Sequence, residues 1–335
     1  MEMHNSFGER FRITFYGASH APEIGVCTDG VPSGIPLAEA DFECDIERRR
    51  PNAVGTTSRR ESDVPHIVSG VSEGVTTGER IEIKFRNANV RSADYSQFEA
   101  HPRPSHVDLT ARTKYGPEFD LRGGGIFSGR MTLLMVAAGV VAKRILPEAR
   151  FDSRLVEVGG CRAKEQFAEV VAQAMRDGDS VGGVVECCVE GAGRTLGEPY
   201  FDSVESVVAH LLFSIPAVKG VEFGSGFEGV RLRGSQRNDA IVDADGHTKT
   251  NNEGGVNGGV SNGNPIVVRV AIKPTASIAT PQMTYNFDLG CVAPLTVTGR
   301  HDACIALRAA VVVEAAVAVA LAELKMQKIA AENLK

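Results

Sequence analysis

The sequence has no tryptophan, and its seven cysteines are an odd number that includes no C-x-x-C pair. A disulfide framework or a zinc site requires paired cysteines at regular spacing. We therefore expect reduced thiols, no metal site and a cytoplasmic location.

Long apolar runs are also missing. The longest uncharged apolar run covers residues 131–142, fewer than the roughly 20 residues that a membrane-spanning helix needs. The first twelve residues are polar and charged, unlike a signal peptide. The formal charge of −6 argues against a general binder of nucleic acids or membrane surfaces. We expect neither as a partner.

Common nucleotide-binding motifs are absent or out of context. No P-loop motif occurs. Gly224, Gly226 and Gly229 match G-x-G-x-x-G, but residues 230–232 look like a strand, whereas a dinucleotide site needs a helix there. Residues 17–21 only half resemble the nucleophile elbow of hydrolases. These patterns exclude a P-loop site and argue against Rossmann and esterase sites.

Hydrophobic patterning predicts strands and helices interspersed without a regular βαβ period, which indicates one α+β domain over residues 1–335. The predicted strands are 11–16, 24–28, 66–70, 80–86, 182–190 and 266–273, and the predicted helices are 37–50, 128–146, 166–176 and 302–328. Residues 87–127 show little periodicity. A loop of that length is usually functional.

Arginines are clustered despite the acidic net charge. Arg48, Arg49, Arg50, Arg59 and Arg60 lie within thirteen residues, and a second group is spread over residues 103–130. Such clusters suit a small polyanionic ligand. A solvated face or a network of salt bridges between subunits explains them equally well.

Two glycine-rich segments are candidates for ligand binding. Arg122-Gly123-Gly124-Gly125-Ile126-Phe127-Ser128-Gly129-Arg130 directly precedes a predicted helix, an arrangement that favours an anion. The alternative is a packing turn in which Ser128 caps the helix. The second segment, residues 251–263, leads into the strand before Lys273, and it reads best by itself as a surface hairpin.

Three ionisable residues are candidates for proton transfer. His20 ends the first strand, and His106 lies among arginines in the long loop, where its protonation is disfavoured. Asp302 stands at the predicted start of the last helix. Structural hydrogen bonding by the histidines and helix capping by Asp302 remain open.

Together, these segments resemble chorismate synthase over nearly the whole chain. The matching motifs are Tyr16-Gly17-Ala18-Ser19-His20, Asp29-Gly30-Val31-Pro32-Ser33-Gly34, Arg48-Arg49-Arg50-Pro51, Arg103-Pro104-Ser105-His106, Arg122-Gly123-Gly124-Gly125, Ala217-Val218-Lys219-Gly220, Lys273-Pro274-Thr275 and Gly299-Arg300-His301-Asp302. So many matches in the same order are far more specific than any one motif.

The resemblance implies a β-α-β sandwich, with helices packed between antiparallel sheets, and a homotetramer. It implies a lyase of the shikimate pathway that eliminates phosphate from 5-enolpyruvylshikimate 3-phosphate to give chorismate. The implied cofactor is reduced FMN, with NADPH as a candidate reductant. Elimination of phosphate needs a cation-rich pocket, which agrees with the arginine clusters.

The resemblance also implies roles for individual residues. By this likeness, the catalytic residues are His20, His106 and Asp302, the substrate-binding residues are Arg49, Arg50 and Arg130, and the FMN-binding residues are Ser128, Ala217, Gly258, Lys273, Pro274, Thr275, Ala276, Ser277 and Arg300. His20 would protonate the departing phosphate, His106 would keep the flavin anionic, and Asp302 would assist proton removal.

The sequence departs from the family's pattern at several of these motifs. Its residues at the changed positions are Ala18, Ala21, Ser105, Ile126, Phe127, Met131 and Pro216. Ile126 and Phe127 replace an arginine and a serine, which removes a charge and hydrogen-bond donors. The alternative function is therefore a non-catalytic protein of the same scaffold that binds a flavin or another metabolite.

Overall fold

The structure is a computed structural model, and it describes residues 5–57, 61–88, 97–299 and 301–333. The strands are β1 Ser6–Phe7, β2 Arg12–Gly17, β3 Glu23–Asp29, β4 His66–Ser69, β5 Val71–Ser72, β6 Val75–Thr76, β7 Ile81–Arg86, β8 Arg150–Val158, β9 Gly183–Glu190, β10 Val218–Phe223, β11 Val256–Asn257, β12 Val260–Ser261, β13 Ile266–Ile272, β14 Gln282–Asn286 and β15 Cys291–Leu295. The α-helices are α1 Glu43–Arg49, α2 Asp108–Tyr115, α3 Thr132–Ile145, α4 Phe167–Arg176, α5 Val204–Ser214, α6 Gly226–Gly229, α7 Gly234–Arg237 and α8 Ala310–Glu332.

Two antiparallel sheets form the outer layers. The first has five strands in the order β1-β2-β3-β7-β4. Period-two alternation directs one face of this sheet inward, where Ile24, Ile81 and Ile83 are buried. The second sheet has four strands in the order β10-β13-β9-β8. In its centre, buried Val268 of β13 lies opposite buried Cys187 of β9.

Two long helices fill the space between the sheets. α3 packs against β3 of the first sheet, α8 packs against β8 and β9 of the second, and the two helices contact each other. Small residues permit a close approach, because a Cβ atom added to Gly139 would lie 2.4 Å from Cβ of Ala315. Buried residues from both sheets and both helices join in one hydrophobic cluster. The α+β prediction, with helices between antiparallel sheets, is confirmed.

One segment, Arg122–Ile145, is long and apolar enough to cross a membrane by length and composition. However, 72% of its most apolar stretch is buried within the protein. The segment is also interrupted, because Ser128 is extended and the 3₁₀ helix Arg122–Phe127 contains non-helical glycines. The fold thus gives α3 the environment of a core helix.

Several boundaries differ from those predicted. Residues 37–50 form the 3₁₀ helix Glu39–Phe42 followed by α1. The predicted loop at 87–127 contains α2. The predicted helix at 302–328 begins as the 3₁₀ helix Ile305–Arg308, and α8 itself starts only at Ala310.

The sequence predicted a strand at residues 230–232, but the structure has none there. The four-residue helix α6 precedes them, and they form a turn. The glycines of this motif serve the protein's own packing, since a Cβ atom on Gly224 would lie 2.1 Å from the carbonyl oxygen of Asn252. The ground given for rejecting a dinucleotide cradle, a strand at 230–232, is therefore wrong, although the helix in the motif has only four residues.

Candidate active site

A cavity of about 630 Å³ lies where six loops meet. These loops follow α1, precede α2, precede α3, precede β10, follow β13 and precede the 3₁₀ helix Ile305–Arg308. The volume falls within the range of roughly 300–1,000 Å³ that is usual for small-molecule sites. Residues distant in the sequence are thereby brought to one place.

Most of the predicted site residues line this cavity. They are Arg49, His106, Ser128, Arg130, Ala217, Lys273, Pro274, Thr275, Ala276, Ser277 and Asp302. Strained backbone occurs at its edge, because Ala217 adopts a φ of 74°, a conformation that side-chain-bearing residues rarely take. Its carbonyl accepts the amide of Lys273 at 2.9 Å, so the two predicted flavin-binding segments are joined directly.

Three predicted residues are placed differently, and a fourth lies outside the described residues. His20 does not line the cavity but adjoins Gly123, which does: a Cβ atom on Gly123 would lie 2.5 Å from Nε2 of His20. The guanidinium of Arg50 turns to Glu47 and to the carbonyl of Ser62, away from the cavity.

Gly258 also lies away from the cavity, in the turn of the β11–β12 hairpin. That hairpin is the arrangement that the sequence favoured for residues 251–263. Arg300 lies outside the described residues. The proposed roles of these four residues stay predictions.

Asp63 holds the two buried arginines in place. Its carboxylate accepts Nη1 of Arg130 and lies 3.6 Å from Nη1 of Arg49. Arg49 also donates to Oγ1 of Thr132 at 3.0 Å and to the carbonyl of Gly129 at 2.8 Å. Burial, followed by the positive charge of Arg308, lowers the pKa of Arg49.

Two polar atoms on the cavity wall have no hydrogen-bond partner among the described residues. They are Nη2 of Arg130 and Oγ1 of Thr275, and both are buried. Buried polar atoms are nearly always satisfied, so each such exception calls for an explanation. A ligand that offers acceptor atoms at this point would supply one.

Asp302 is held by an arginine rather than by a helix terminus. Nε and Nη2 of Arg308 donate to its two oxygens at 3.1 and 2.8 Å, and the amide of Thr57 donates to Oδ1 at 2.9 Å. Because α8 begins eight residues later, the helix-capping interpretation of Asp302 is wrong. Its carboxylate instead joins the loop after α1 to the segment before α8.

His106 is half-buried and faces a carboxylate. Its Nδ1 lies 2.6 Å from Oδ1 of Asp108, and Asp108 in turn receives Nε and Nη2 of Arg103. Burial lowers the pKa of His106, and the charge of Arg103 adds to this effect. Burial and Arg103 likewise lower the pKa of His301, which also lines the cavity. Both imidazoles are therefore neutral near neutral pH.

Positive charge dominates the cavity. Its lining includes six arginine and lysine side chains and three carboxylates. The described lining residues thus carry an excess of three positive charges. Asp108, which pairs with Arg103 from behind, reduces this excess to two. Burial, followed by the charge of Lys219, lowers the pKa of Lys273, whose Nζ donates to the carbonyl of Ser105 at 2.6 Å. Such a cavity favours a ligand with more than one negative charge.

The glycine-rich segment before α3 turns along one wall. Gly123, Gly124 and Gly125 all have positive φ values, of 60°, 83° and 55°. The side chain of Ser128 accepts the amide of Arg130, so it caps the next 3₁₀ helix, Gly129–Met131, as the packing interpretation predicted. Cap and cavity wall coexist, because Ser128 also lines the cavity.

Sequence reasoning missed several residues of the site. They are Asp63, Asp108, Lys219, His301 and Arg308. Asp108 and His301 lie within or beside recognised motifs, so proximity to His106 and Asp302 was an available signal. Asp63 and Arg308 belong to no motif, and only the fold brings them to the cavity.

Comparison with known proteins gives a consistent result. A family model described as chorismate synthase matches residues 11–326. A chorismate synthase of Chitinophaga pinensis is 54% identical to this chain, and the match covers 95% of this chain and 96% of the relative. One of Korarchaeum cryptofilum is 42% identical, with coverages of 95% and 96%.

The fold agrees with these sequence matches. A solved structure titled "Crystal Structure of Chorismate Synthase" superposes with a TM-score of 0.73 at 26% identity, covering 96% of this chain and 93% of the other. The structural match confirms the sandwich type, and the sequence matches extend over almost the full length of the relatives. The chain therefore belongs to the chorismate synthase family, whose members are lyases.

Proposed function

We propose that this protein catalyses the anti-1,4-elimination of phosphate from 5-enolpyruvylshikimate 3-phosphate, giving chorismate in the shikimate pathway of aromatic amino acid biosynthesis. The observation that carries the proposal is Nη2 of Arg130, which is buried and has no hydrogen-bond partner among the described residues, in a cation-rich cavity that also contains His106 and Asp302. The substrate has a phosphate and two carboxylates. Its negative charges therefore complement the excess of positive charge in the cavity.

Binding of the substrate falls to the arginines of the cavity. Arg130 offers Nη2, for which the described part of the chain supplies no acceptor, while Asp63 fixes the other side of its guanidinium. Arg49 is held by Thr132 and Gly129, so its charge is already in position before the substrate arrives. Such fixed cations stabilise negative charge that develops on the leaving phosphate oxygen. Arg50 would need to turn from Glu47 to take part.

Proton handling falls to His20, His106 and Asp302. During the 1,4-elimination, the bond between one carbon and the phosphate oxygen breaks. A proton leaves the carbon at the other end of the diene that forms. His20 would supply a proton to the departing phosphate. Asp302, kept in one orientation by Arg308, would assist removal of the carbon-bound proton. A neutral His106 can accept a proton in the cavity and return it.

The cavity residues also fit FMN. The isoalloxazine ring is flat and largely apolar, and the lining includes Ile126, Phe127, Phe213 and Pro216 beside the polar groups. Ser128, Ala217 and the segment from Lys273 to Ser277 would hold the cofactor, with Oγ1 of Thr275 as an available donor. Gly258 and Arg300 would complete the set. Reduced FMN supplies electron density to the substrate when bound, without net redox change.

We further propose that the protein is a cytoplasmic homotetramer. Seven unpaired thiols, all in described residues, agree with a reducing compartment. Several large apolar side chains remain exposed, including Phe201 and Phe227 at 90% and 72% of their full accessibility. Aromatic side chains are enriched at protein interfaces, so these two positions agree with an oligomer.

Anaerobic turnover tests the proposed reaction. The purified protein is mixed with 5-enolpyruvylshikimate 3-phosphate and photoreduced FMN, and chorismate and orthophosphate are measured together. Equal amounts of both products, formed at a rate proportional to enzyme concentration, support the proposal. Supplying oxidised FMN with NADPH instead tests whether NADPH is the reductant. If FMN binds but no phosphate is released, the proposed activity is wrong.

The alternative is a non-catalytic protein that binds FMN or a related metabolite. It is favoured by Ile126 and Phe127, which line the cavity in place of a charged and a hydroxyl-bearing side chain. Replacing both with Arg and Ser, as in the family's pattern, distinguishes the two functions. An inactive protein that gains turnover supports the alternative, whereas an already active one supports the elimination.

A further inference from the structure

A buried ion pair lies directly behind His106. Nε and Nη2 of Arg103 donate to the two oxygens of Asp108 at 2.8 and 2.7 Å, and neither side chain has more than 4% of its surface exposed. A buried pair of this type contributes little net stability compared with apolar residues of the same volume. Its position beside a predicted catalytic group therefore suggests a role other than stability.

Asp108 also fixes the backbone of the loop that carries His106. Besides the side chain of Arg103, its carboxylate accepts the backbone amide of Arg103 at 3.1 Å. The amide of His106 donates to the carbonyl of Arg103 at 3.2 Å, and Ser105 takes a left-handed φ of 58°. Hydrogen bonds within the loop therefore hold its backbone, and the carboxylate of Asp108 accepts from both the backbone and the side chain of Arg103.

Arg103 connects this loop to a second wall of the cavity. Its Nη1 donates to Oγ of Ser277 at 3.0 Å, and its guanidinium lies 4.2 Å from the centre of the Phe98 ring. Stacking on an aromatic face and fork-like pairing with a carboxylate are both specific to arginine. The pair thus sets the position of His106 relative to the segment from Lys273 to Ser277.

The hydrogen bond between His106 and Asp108 determines which nitrogen carries the proton. An ionised carboxylate can only accept, so the 2.6 Å contact to Oδ1 requires a proton on Nδ1 of His106. Nη2 of Arg103 also lies 3.0 Å from this nitrogen, but it has Oδ1 of Asp108 as a better acceptor at 2.7 Å. In the neutral imidazole, Nε2 is then the unprotonated nitrogen.

We propose that Asp108 is a positioning residue for catalysis: it holds His106 in the Nδ1-protonated tautomer and leaves Nε2 as the nitrogen that exchanges protons in the cavity. Arg103 assists by keeping Asp108 ionised and immobile. The inference rests on the proposed elimination only for the catalytic value of His106. The tautomer itself is a property of the protein alone.

The described charged and titratable groups that act on His106 include Asp108, Arg103, Lys273 and His301. Asp108 raises its pKa, through the hydrogen bond and through its charge, whereas Arg103 and Lys273 lower it. His301 is the fourth group, since the two imidazoles disfavour each other's protonation. Removing the charge of Asp108 alone should therefore lower the pKa of His106 further, because the anion that favours its protonated form is lost.

The first test uses the unmodified protein. Selective ¹⁵N labelling of histidine, with the His106→Gln variant to assign the signal, reports which nitrogen of His106 is protonated above its pKa. We expect a protonated Nδ1. A protonated Nε2 would overturn the proposal, whatever the activity of the enzyme.

The second test compares Asp108→Asn with Asp29→Asn. Asp29 forms the same fork with Arg80, at 2.8 and 3.1 Å, but on the surface and away from the cavity. For Asp108→Asn we expect a fall of 10- to 100-fold in kcat, little change in KM, and a lower pKa of His106. Asp29→Asn should leave all three unchanged.

Asp108→Glu provides the remaining arm, because Asp108→Asn leaves Arg103 buried without its counter-ion and risks unfolding. Glutamate keeps the charge but moves the carboxylate by one methylene, so we expect the protein to fold, the Nδ1 proton to persist and part of kcat to return. Folded variants in which His106 keeps its tautomer and pKa would refute the role of Asp108. Absence of turnover in a protein with the expected tautomer would instead refute the proposed elimination.

Discussion

At the scale of single residues, the cavity depends on carboxylates that hold arginines in fixed positions. Asp63 is 3% exposed and lies between Arg49 and Arg130, while Asp302 receives the fork of Arg308. Each long, flexible cation has thereby lost its conformational freedom before a ligand arrives. Binding then costs less entropy, which is the physical meaning of a preorganised site.

Arg130 tests this preorganisation directly. In Arg130→Lys the positive charge remains, but the planar guanidinium is lost. That group donates to Asn87 and Asp63, and its Nη2 has no hydrogen-bond partner among the described residues. Hydrogen bonds to charged groups contribute roughly 1.5–3 kcal/mol, so we expect KM for the substrate to rise at least about tenfold. Steady-state kinetics measures it. The control is Arg122→Lys, because Arg122 is exposed and pairs with Asp120. Equal KM values for the two variants would contradict the assignment.

The two cavity histidines predict how stability depends on pH. The pKa values of His106 and His301 both lie below their ordinary 6.5 in the folded protein, so the unfolded chain binds protons more readily. The free energy of unfolding should therefore be level above about pH 6.5 and decline below it. Urea titrations between pH 8 and 5 measure this slope.

Matched variants assign the slope to particular histidines. His106→Gln should reduce it, whereas His66→Gln, at a surface position with 75% of its side chain exposed, should not. An unchanged slope in His106→Gln would mean that other groups cause the decline.

At the scale of elements, the glycine-rich segment shows why a motif needs its backbone conformation. Gly123 has a φ of 60°, and a Cβ atom there would meet the far end of the His20 side chain. Gly290 has a similar φ of 67° but open space around it. The two glycines therefore separate backbone strain from a collision with a predicted catalytic group.

Gly123→Ala and Gly290→Ala should consequently differ in activity rather than in stability. Both place alanine in a left-handed conformation, which costs about 1–2 kcal/mol. Only Gly123→Ala forces His20 to move, and general acid catalysis contributes roughly 10²–10⁴-fold. We expect Gly123→Ala to lose at least about 100-fold in turnover while the thermal midpoints of the two variants stay similar. Equal turnover would exclude His20 from the reaction.

Elements with a strong hydrophobic period were predictable from the sequence, and others were not. The strands β2, β3, β7, β9 and β13 and the helices α3 and α4 match the predicted segments closely. α2 was missed because it buries only Asp108 and Ala111, so it has no apolar stripe. Its first residue serves the His106 loop rather than a core.

The site was predictable as far as motifs reach. Eleven of the predicted site residues line one cavity, because their motifs lie at loop ends that the sheets bring together. Asp63 could not be predicted, since its partner Arg130 is close to it only in three dimensions. Arg308 lies six residues after Asp302, a spacing that by itself predicts no contact, and it pairs with Asp302 across the start of the 3₁₀ helix Ile305–Arg308. Tertiary ion pairs leave no periodic signal in a sequence.

At the scale of the whole molecule, the helical layer and the second sheet are joined by charge as well as by apolar packing. Glu314 of α8 is 2% exposed and accepts Arg48 of α1 at 2.7 Å, Lys143 of α3 at 2.5 Å and Ser153 of β8 at 2.5 Å. One carboxylate therefore connects both central helices, the second sheet and the helix that carries Arg49. Movement of any of these elements would disturb both this network and the cavity.

The network predicts a second, more acidic step in stability. Arg48 and Lys143 overcome the effect of burial and lower the pKa of Glu314 from 4.5 to about 2. A carboxylate with a lowered folded pKa stabilises the protein above its unfolded value, and this stabilisation is lost as the pH falls through the folded value. Denaturation should therefore show a decline between about pH 4.5 and 2, separate from that of the histidines.

Glu314→Gln should remove this acidic step and weaken the fold at neutral pH. Breaking a buried ion pair on one side costs roughly 3–5 kcal/mol, and we expect the lower end because Arg48 and Lys143 keep 37% and 23% of their side chains exposed to water. Urea unfolding at pH 7 and pH 4 measures both effects. Glu332→Gln is the control, since Glu332 lies near the exposed end of the same helix, 4.0 Å from Lys328. If the two variants lost equal stability, apolar packing alone would join the layers. If Glu314→Gln also lost substrate affinity, the network would be shown to hold the arginines of the cavity in register.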